Sequence, residues 1–384
     1  MKQLNLYPAL EVSFSRLSPE ERLVILCSRM EMPQKSEELA RGLILEERID
    51  WVYFIKLTRL YATAPLIYRH LQSFGKLIPE AVMQSLRGSA GFVFARNIKY
   101  FNNVKSLADM FNKEGLEVIF MKGVVFMIDL YREKGLRDFS DIDILIKQED
   151  LAKVEKLVKR KGFKPYNRRG IFNRYRSQRV YSLDGKLCLD IHLDLIGRKM
   201  HNRLIGINKK DLWSKKRKVS LEGTHLYALD TSHMLIYQSM HLAMQHGFSG
   251  LKWYVDIHEL VRSYKINWAE VVRLAKSYRV ARPLYYTLLF TRNMFATPIP
   301  EKVLGELGKI QRKFDRYLLE KIKSRNAETD YLAELFMFDR MRDTIKFIFL
   351  SLIAYPYLIG HFVVIFGKIL KSILPGRKPM AVSS

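Results

Sequence analysis

The chain has 384 residues, with 65 Lys and Arg against 39 Asp and Glu, a formal charge of +26. A hydrophobic fraction of 48% excludes wholesale disorder, and two lone cysteines, Cys27 and Cys188, exclude a disulfide framework or a cysteine metal cluster. So large a basic excess fits a polyanionic partner, either nucleic acid, a nucleotide or an anionic membrane surface; a basic surface that only keeps the chain soluble fits it equally.

The N-terminal stretch "MKQLNLYPALEVSFSRL" lacks both an uninterrupted apolar core and a small-residue cleavage site. The expectation is therefore a cytoplasmic protein without a secretory leader. Residues 1–114 form an N-terminal helical region. "SPEERLVILCSRM" starts with a Ser cap and a Glu three residues later. "IDWVYFIKLTRLYATAPLIYRHLQ" has apolar residues at helical spacing, with Pro65 opening a new turn. Val93–Glu114 reads as a long helix closed by Gly115.

The pattern changes at Leu116. "LEVIFMKG" is a β-rich run ending at Gly123, and "VVFMIDLYREK" follows as an amphipathic helix. "DIDILI" alternates like a strand, and "QEDLAKVEKLVKRKGF" is a helix that stops at Gly162. Two strands, "RVYSL" and "KLCLDIHLDLI", are joined by Asp184-Gly185, a strong hairpin signal. Strand, helix, strand, helix and hairpin describe a small α/β core over residues 115–222. A helical domain follows over 223–330, broken at Pro298-Ile-Pro300. The last region, 331–384, carries the uncharged run Phe347–Gly367, flanked by basic residues. That run is long enough to span a bilayer, and a buried or interfacial hairpin kinked at Pro356 competes with the span. Attachment to the cytoplasmic membrane through residues 345–370 is the corresponding expectation.

The chemistry concentrates in "LRDFSDIDILI". Strand alternation puts Asp141 and Asp143 on one face and Ile142, Ile144 and Ile146 on the other. Two carboxylates so close repel each other unless a cation neutralises them. Hard divalent ions such as Mg²⁺ suit carboxylates completed by substrate phosphates. In "CLDIHLD", Cys188, Asp190, His192 and Asp194 share a face, so Asp190 or Asp194 can stand beside the pair as a further ligand or as a base. Gly123, at a strand–helix junction, can turn backbone N–H groups toward a phosphate. Lys122 adds charge there, and Arg137, three residues before Ser140, is in reach of the same phosphates. An isolated Asp-x-Asp is weak evidence, because most are solvated edges or caps, and Arg137 can simply pair with Asp138.

Strand-Gly-helix, Asp-hydrophobic-Asp and a later acidic strand together resemble the DNA polymerase β-like nucleotidyltransferase superfamily. The closer resemblance is to an uncharacterised bacterial nucleotidyltransferase family. It is carried by "IDWVYFIKLTRLYATAPLIYRHL", "FMKGVVFMIDLY", "GLRDFSDIDILI", "KGF", "LDIHLDL" and "HLAMQHGFSGLKWYVDIHELV", over roughly residues 15–290. The resemblance implies an α+β fold, with a small mixed-sheet nucleotidyltransferase core between N- and C-terminal helical domains. It also implies that Asp141, Asp143 and Asp190 hold Mg²⁺ (or Mn²⁺ in its place) and are catalytic. Lys122, Gly123, Arg137, Ser140 and His192 would line the substrate. The reaction would pass an NMP group from a nucleoside triphosphate such as ATP to a sugar, lipid-linked intermediate, small molecule, protein or RNA. The sequence departs from the superfamily in having Lys122-Gly123-Val124 where Gly-Ser is usual.

Competing readings rest on other segments. His233, His241 and His246 match no zinc-helix spacing and fit structural roles, or line the acceptor side of the cleft. Asn167–Arg179 and Lys209–Lys218 interleave basic and aromatic residues, as an RNA- or nucleotide-binding protein would. A membrane-associated biosynthetic accessory protein with a degenerate core is a third reading, and the intact Asp-x-Asp opposes it.

Overall fold

The computed structural model describes residues 17–166, 177–197, 199–310 and 338–354. Among these, seven strands form one mixed sheet: β1 (Ile119–Met121), β2 (Asp141–Leu145), β3 (Lys164–Pro165), β4 (Gln178–Leu183), β5 (Leu187–His192), β6 (Arg217–Leu221) and β7 (Thr224–Ala228). Their order is β3-β4-β5-β2-β1-β7-β6. The fold is α+β, with helices flanking the sheet and a hydrophobic core continuous through both.

Local signals behave as the chemistry dictates. Ser18 and Glu21 form a reciprocal capping box at helix Pro19–Cys27. Pro65 sits in the first turn of helix Ala64–Leu71. The long helix starts earlier than its apolar pattern suggested, running Glu80–Lys113, and the chain leaves it through Gly115 at φ +67°. Asp184 and Gly185 both have positive φ, 53° and 68°, the type I′ geometry that joins β4 to β5.

The central strands bring the acidic residues together. β2 is parallel to β5 and antiparallel to β1, so Met121, Asp143 and Asp190 lie in one row across three strands. Parallel pairing keeps Asp141, Asp143, Asp190 and His192 on one face, while Ile142 and Ile144 are fully buried on the other. The β6–β7 hairpin was not anticipated. Its turn is Glu222-Gly223, again with positive φ at both residues, and β7 runs parallel to β1, so the sheet continues to Ala228, past residue 222.

Helices Thr231–His246, Leu251–Ser263, Trp268–Tyr278 and Ala281–Phe295 follow the sheet. Helix Met341–Ala354 packs beside helix Lys199–Leu204, with the Phe347 ring 4.9 Å from that of His201. Its opposite side exposes Met341, Ile345, Phe349 and Ile353 at four-residue spacing. Most of the apolar run 347–367 lies outside the described residues, as does Asn167–Arg176. No helix among the described residues is long and apolar enough to cross a membrane.

Candidate active site

A cleft of about 340 Å³ opens above the acidic face of the sheet. Strand residues Asp141, Asp143, Asp190 and His192 line one side, and His241, His246, Lys252 and Trp253 from the two following helices line the other. Lys122, Gly123, Arg137 and Ser140 complete the rim.

Asp143 is the centre of the polar network. Its Oδ1 accepts from His192 Nε2 at 2.9 Å, and its Oδ2 lies 3.0 Å from Lys122 Nζ. Burial works against ionising this carboxyl, yet Lys122 and His192 outweigh it and hold the pKa below the ordinary value. Lys122 thus supplies the positive charge that a paired-aspartate strand requires. Burial opposes the Lys122 charge in turn, but Asp143 prevails and raises its pKa. Asp141 moves the other way, pushed up first by burial and then by the Asp143 charge. Asp190 is lifted to about 6 by burial and, second, by Asp143. Among the described residues its Oδ1 has no hydrogen-bond partner, and its Oδ2 receives only a 3.4 Å contact from Gln178. Donor atoms of Asp143, Asp190 and His192 all lie within 4.8 Å of one another.

The loop before Asp141 is held by three residues of the long helix Glu80–Lys113. Asn97, on the long helix, donates to the carbonyls of Lys134 and Arg137 at 2.7 and 2.9 Å. Tyr100 donates to the Ser140 carbonyl at 2.5 Å and meets the Phe139 ring edge-on. Arg96 pairs with Asp138. Gly123 lets this loop close against the strand–helix junction. A Cβ there would sit 2.8 Å from Phe139 Cβ and 3.0 Å from an Arg137 guanidinium nitrogen.

The sequence-derived residues therefore meet in one cleft, with different partners from those expected. Arg137 does not pair with Asp138: its guanidinium grips Asp256 at 3.2 and 2.6 Å, and both residues are buried. Of the two candidate acids, Asp190 on β5 faces the cluster, whereas Asp194 lies beyond the end of β5 and pairs with Lys209 outside it. His192 contacts Asp143 directly. Ser140 is exposed at the rim and offers its carbonyl to Tyr100. His233 is structural, held by Asp230 and by Tyr278 at 2.9 Å. His241 and His246 are paired through Nε2 atoms 3.1 Å apart, and His246 stacks on Trp253. Four residues of the basic cluster 209–218 are engaged by acids, Lys209 with Asp194 among them, while Lys210 and Lys218 are exposed. Lys215 pairs with Asp211 and Glu270, Lys216 with Glu117, and Arg217 with Asp129.

The model of the uncharacterised nucleotidyltransferase family matches residues 47–296. The chain belongs to this family. It is accordingly a nucleotidyltransferase, a transferase of phosphorus-containing groups. Neither the curated proteins nor the solved structures give a match. The family match spans the whole sheet, the long helix that pins the Asp141 loop, and both helices opposite the carboxylates. Gln178, Gln245, Lys252 and Trp253 line the same cleft and were not singled out by the sequence. A Gly-rich turn before Lys252-Trp253, "HGFSG", was the one available signal.

Proposed function

We propose that this nucleotidyltransferase moves an NMP group from a nucleoside triphosphate to an acceptor hydroxyl, with a divalent cation held at the acidic face. The observation that carries the reading is the convergence of Asp143, Asp190 and His192 donor atoms within 4.8 Å, in a cleft also lined by Asp141. The donor set fits such an ion. Two carboxylates suit Mg²⁺, the imidazole extends the choice to Mn²⁺, and Asp190 Oδ1 is a buried acceptor without a partner. Asp143, Asp190 and Asp141 would hold the ion, with His192 beside them. Once bound, a divalent cation neutralises charge that accumulates on the phosphates during transfer.

The chain's own residues divide the remaining work. Asp190, whose Oδ1 has no partner among the described residues, would take the proton of an acceptor hydroxyl. The freed oxygen bonds to the α-phosphorus as the bond from that phosphorus to the bridging oxygen breaks, and pyrophosphate leaves with the electron pair. His192 steadies Asp143 through its 2.9 Å contact. Incubation with each labelled nucleoside triphosphate, Mg²⁺ and cell extract tests the reading. Label should pass to an acceptor with the parent protein and not with folded Asp143→Ala or Asp190→Ala. Full transfer by either variant would sink the assignment.

A further inference from the structure

Three cations line the cleft, and two of them are already engaged. Lys122 is bound to Asp143 at 3.0 Å, and Arg137 is locked to Asp256. Lys252 differs: among the described residues it forms no hydrogen bond or ion pair, and its ammonium rests 5.1 Å from the Trp253 ring centre. The lysine is the second residue of helix Leu251–Ser263, whose cap, Gly250, provides no side-chain acceptor for the first-turn N–H groups. Gly250 sits at φ +105°, and a Cβ there would fall 2.0 Å from Trp253 Cζ3, so the tight turn seats the helix start against the indole. Beside it His241, only 5% exposed, lines the cleft with its Nδ1 unpartnered.

We infer that Lys252, together with the start of its helix and the His241–His246 pair, is the polyphosphate-binding arm of the cleft, facing the β- and γ-phosphates of a nucleoside triphosphate. The inference rests on the nucleotide reading above and assigns the anion-binding role to a part of the chain far from the Lys-Gly junction. An ammonium and an uncapped helix start both favour a phosphate oxygen. The acids on the opposite wall cannot serve that end of the ligand without a cation between them. Burial, and then the Arg137 charge, depress the Lys252 pKa to about 8. The carboxylates of Asp138, Asp256 and Asp141 only partly offset this. Among the described residues the ammonium has no carboxylate within ion-pair distance, and a bound phosphate would supply a direct partner.

Titration calorimetry at pH 7 with ATP and with inorganic tripolyphosphate, both without metal, tests the assignment. Lys252→Met should bind both about tenfold or more weakly, and Lys252→Arg should stay within about threefold of the parent. Lys156→Met, at an exposed lysine on helix Leu151–Arg160, controls for net charge and should change neither affinity. Mn²⁺ affinity measured without nucleotide should be the same in Lys252→Met and the parent. If ATP binds the parent and Lys252→Met equally, the arm is refuted and the nucleotide reading stands. An equal loss in Lys156→Met also refutes the arm. If the parent binds neither ligand without metal, the arm is refuted, and absence of ATP binding with Mn²⁺ present as well would refute the nucleotide reading. Should Lys252→Met not fold by circular dichroism, Lys252→Gln against Lys252→Arg makes the same comparison.

Discussion

The Arg137–Asp256 pair offers the sharpest test of how this site is built. Asp256 is fully buried and Arg137 is 5% exposed. Two guanidinium nitrogens reach the carboxylate at 3.2 and 2.6 Å, and Tyr131 donates a third bond at 2.9 Å. In Asp256→Ala the guanidinium keeps one bond, to the Asp138 carbonyl at 2.9 Å, and loses its counter-ion. Stranding a buried charge costs about 3–5 kcal/mol. Replacing both partners with apolar residues, Arg137→Met with Asp256→Ala, strands no charge: it leaves the Tyr131 hydroxyl without its acceptor, at about 1–3 kcal/mol, and removes the part-buried bond to the Asp138 carbonyl, worth about 0.5–1.5 kcal/mol. The double variant should therefore be more stable than Asp256→Ala, and the two single losses should sum to well above the double loss. Urea denaturation of the four proteins, with m-values compared, measures this directly. Single variants within about 1 kcal/mol of the parent, or strict additivity, would refute the claim that this ion pair anchors the loop carrying Asp141.

Two further outcomes follow from the same geometry. Asp190 titrates at about 6 folded against an ordinary 3.8, so the folded state holds its proton more tightly. Its stabilisation is present below about pH 4 and is lost as pH rises to about 6, amounting to at most about 3 kcal/mol. Metal-free Asp190→Asn should flatten that slope and unfold at higher urea than the parent at pH 8; an unchanged slope in a urea series from pH 4 to 8 would contradict it. Gly123→Ala should cost about 1–3 kcal/mol, because its Cβ would meet Phe139 at 2.8 Å. Gly91→Ala in the long helix meets nothing within 4 Å and should be neutral or stabilising by up to about 1 kcal/mol. Equal melting temperatures for these two variants would count against the packing argument.

Much of this site was legible because strand alternation is a local signal. Asp141, Asp143, Asp190 and His192 fall on one face by spacing alone, and Asp184-Gly185 announces the turn that returns β5 beside β4. What remained hidden depends on pairing between distant segments. The strand β7 pairs in parallel with β1 across about a hundred residues, and the lysines before β6 disguised the alternation of Val219 and Leu221. Asp256 sits mid-helix, and nothing in its local spacing names its partner, Arg137. Its neighbours Tyr254, Val255 and Ile257 are all buried, however, and an aspartate on such a stretch demands a buried cation.

The same reasoning bears on the cleft's positive charges. Lys122 was expected near phosphates from its place beside Gly123 at the strand–helix junction, and Arg137 from its place three residues before Ser140; both are engaged by carboxylates. Proximity is the reason they do not stand free: a buried cation within reach of a buried carboxylate pairs with it, since leaving both unpaired costs several kcal/mol, of order 3–5, per site. Lys122 reaches Asp143 from a backbone at φ +36°, a left-handed conformation unusual for a lysine. Such strain persists only where surrounding contacts impose it, and here the 3.0 Å ion pair is one of them. The acidic strand is thus stable without a bound ion because a lysine from the neighbouring strand end stands in for one. On the proposed nucleotide reading, a ligand phosphate would be met from across the cleft, by Lys252 and the start of helix Leu251–Ser263.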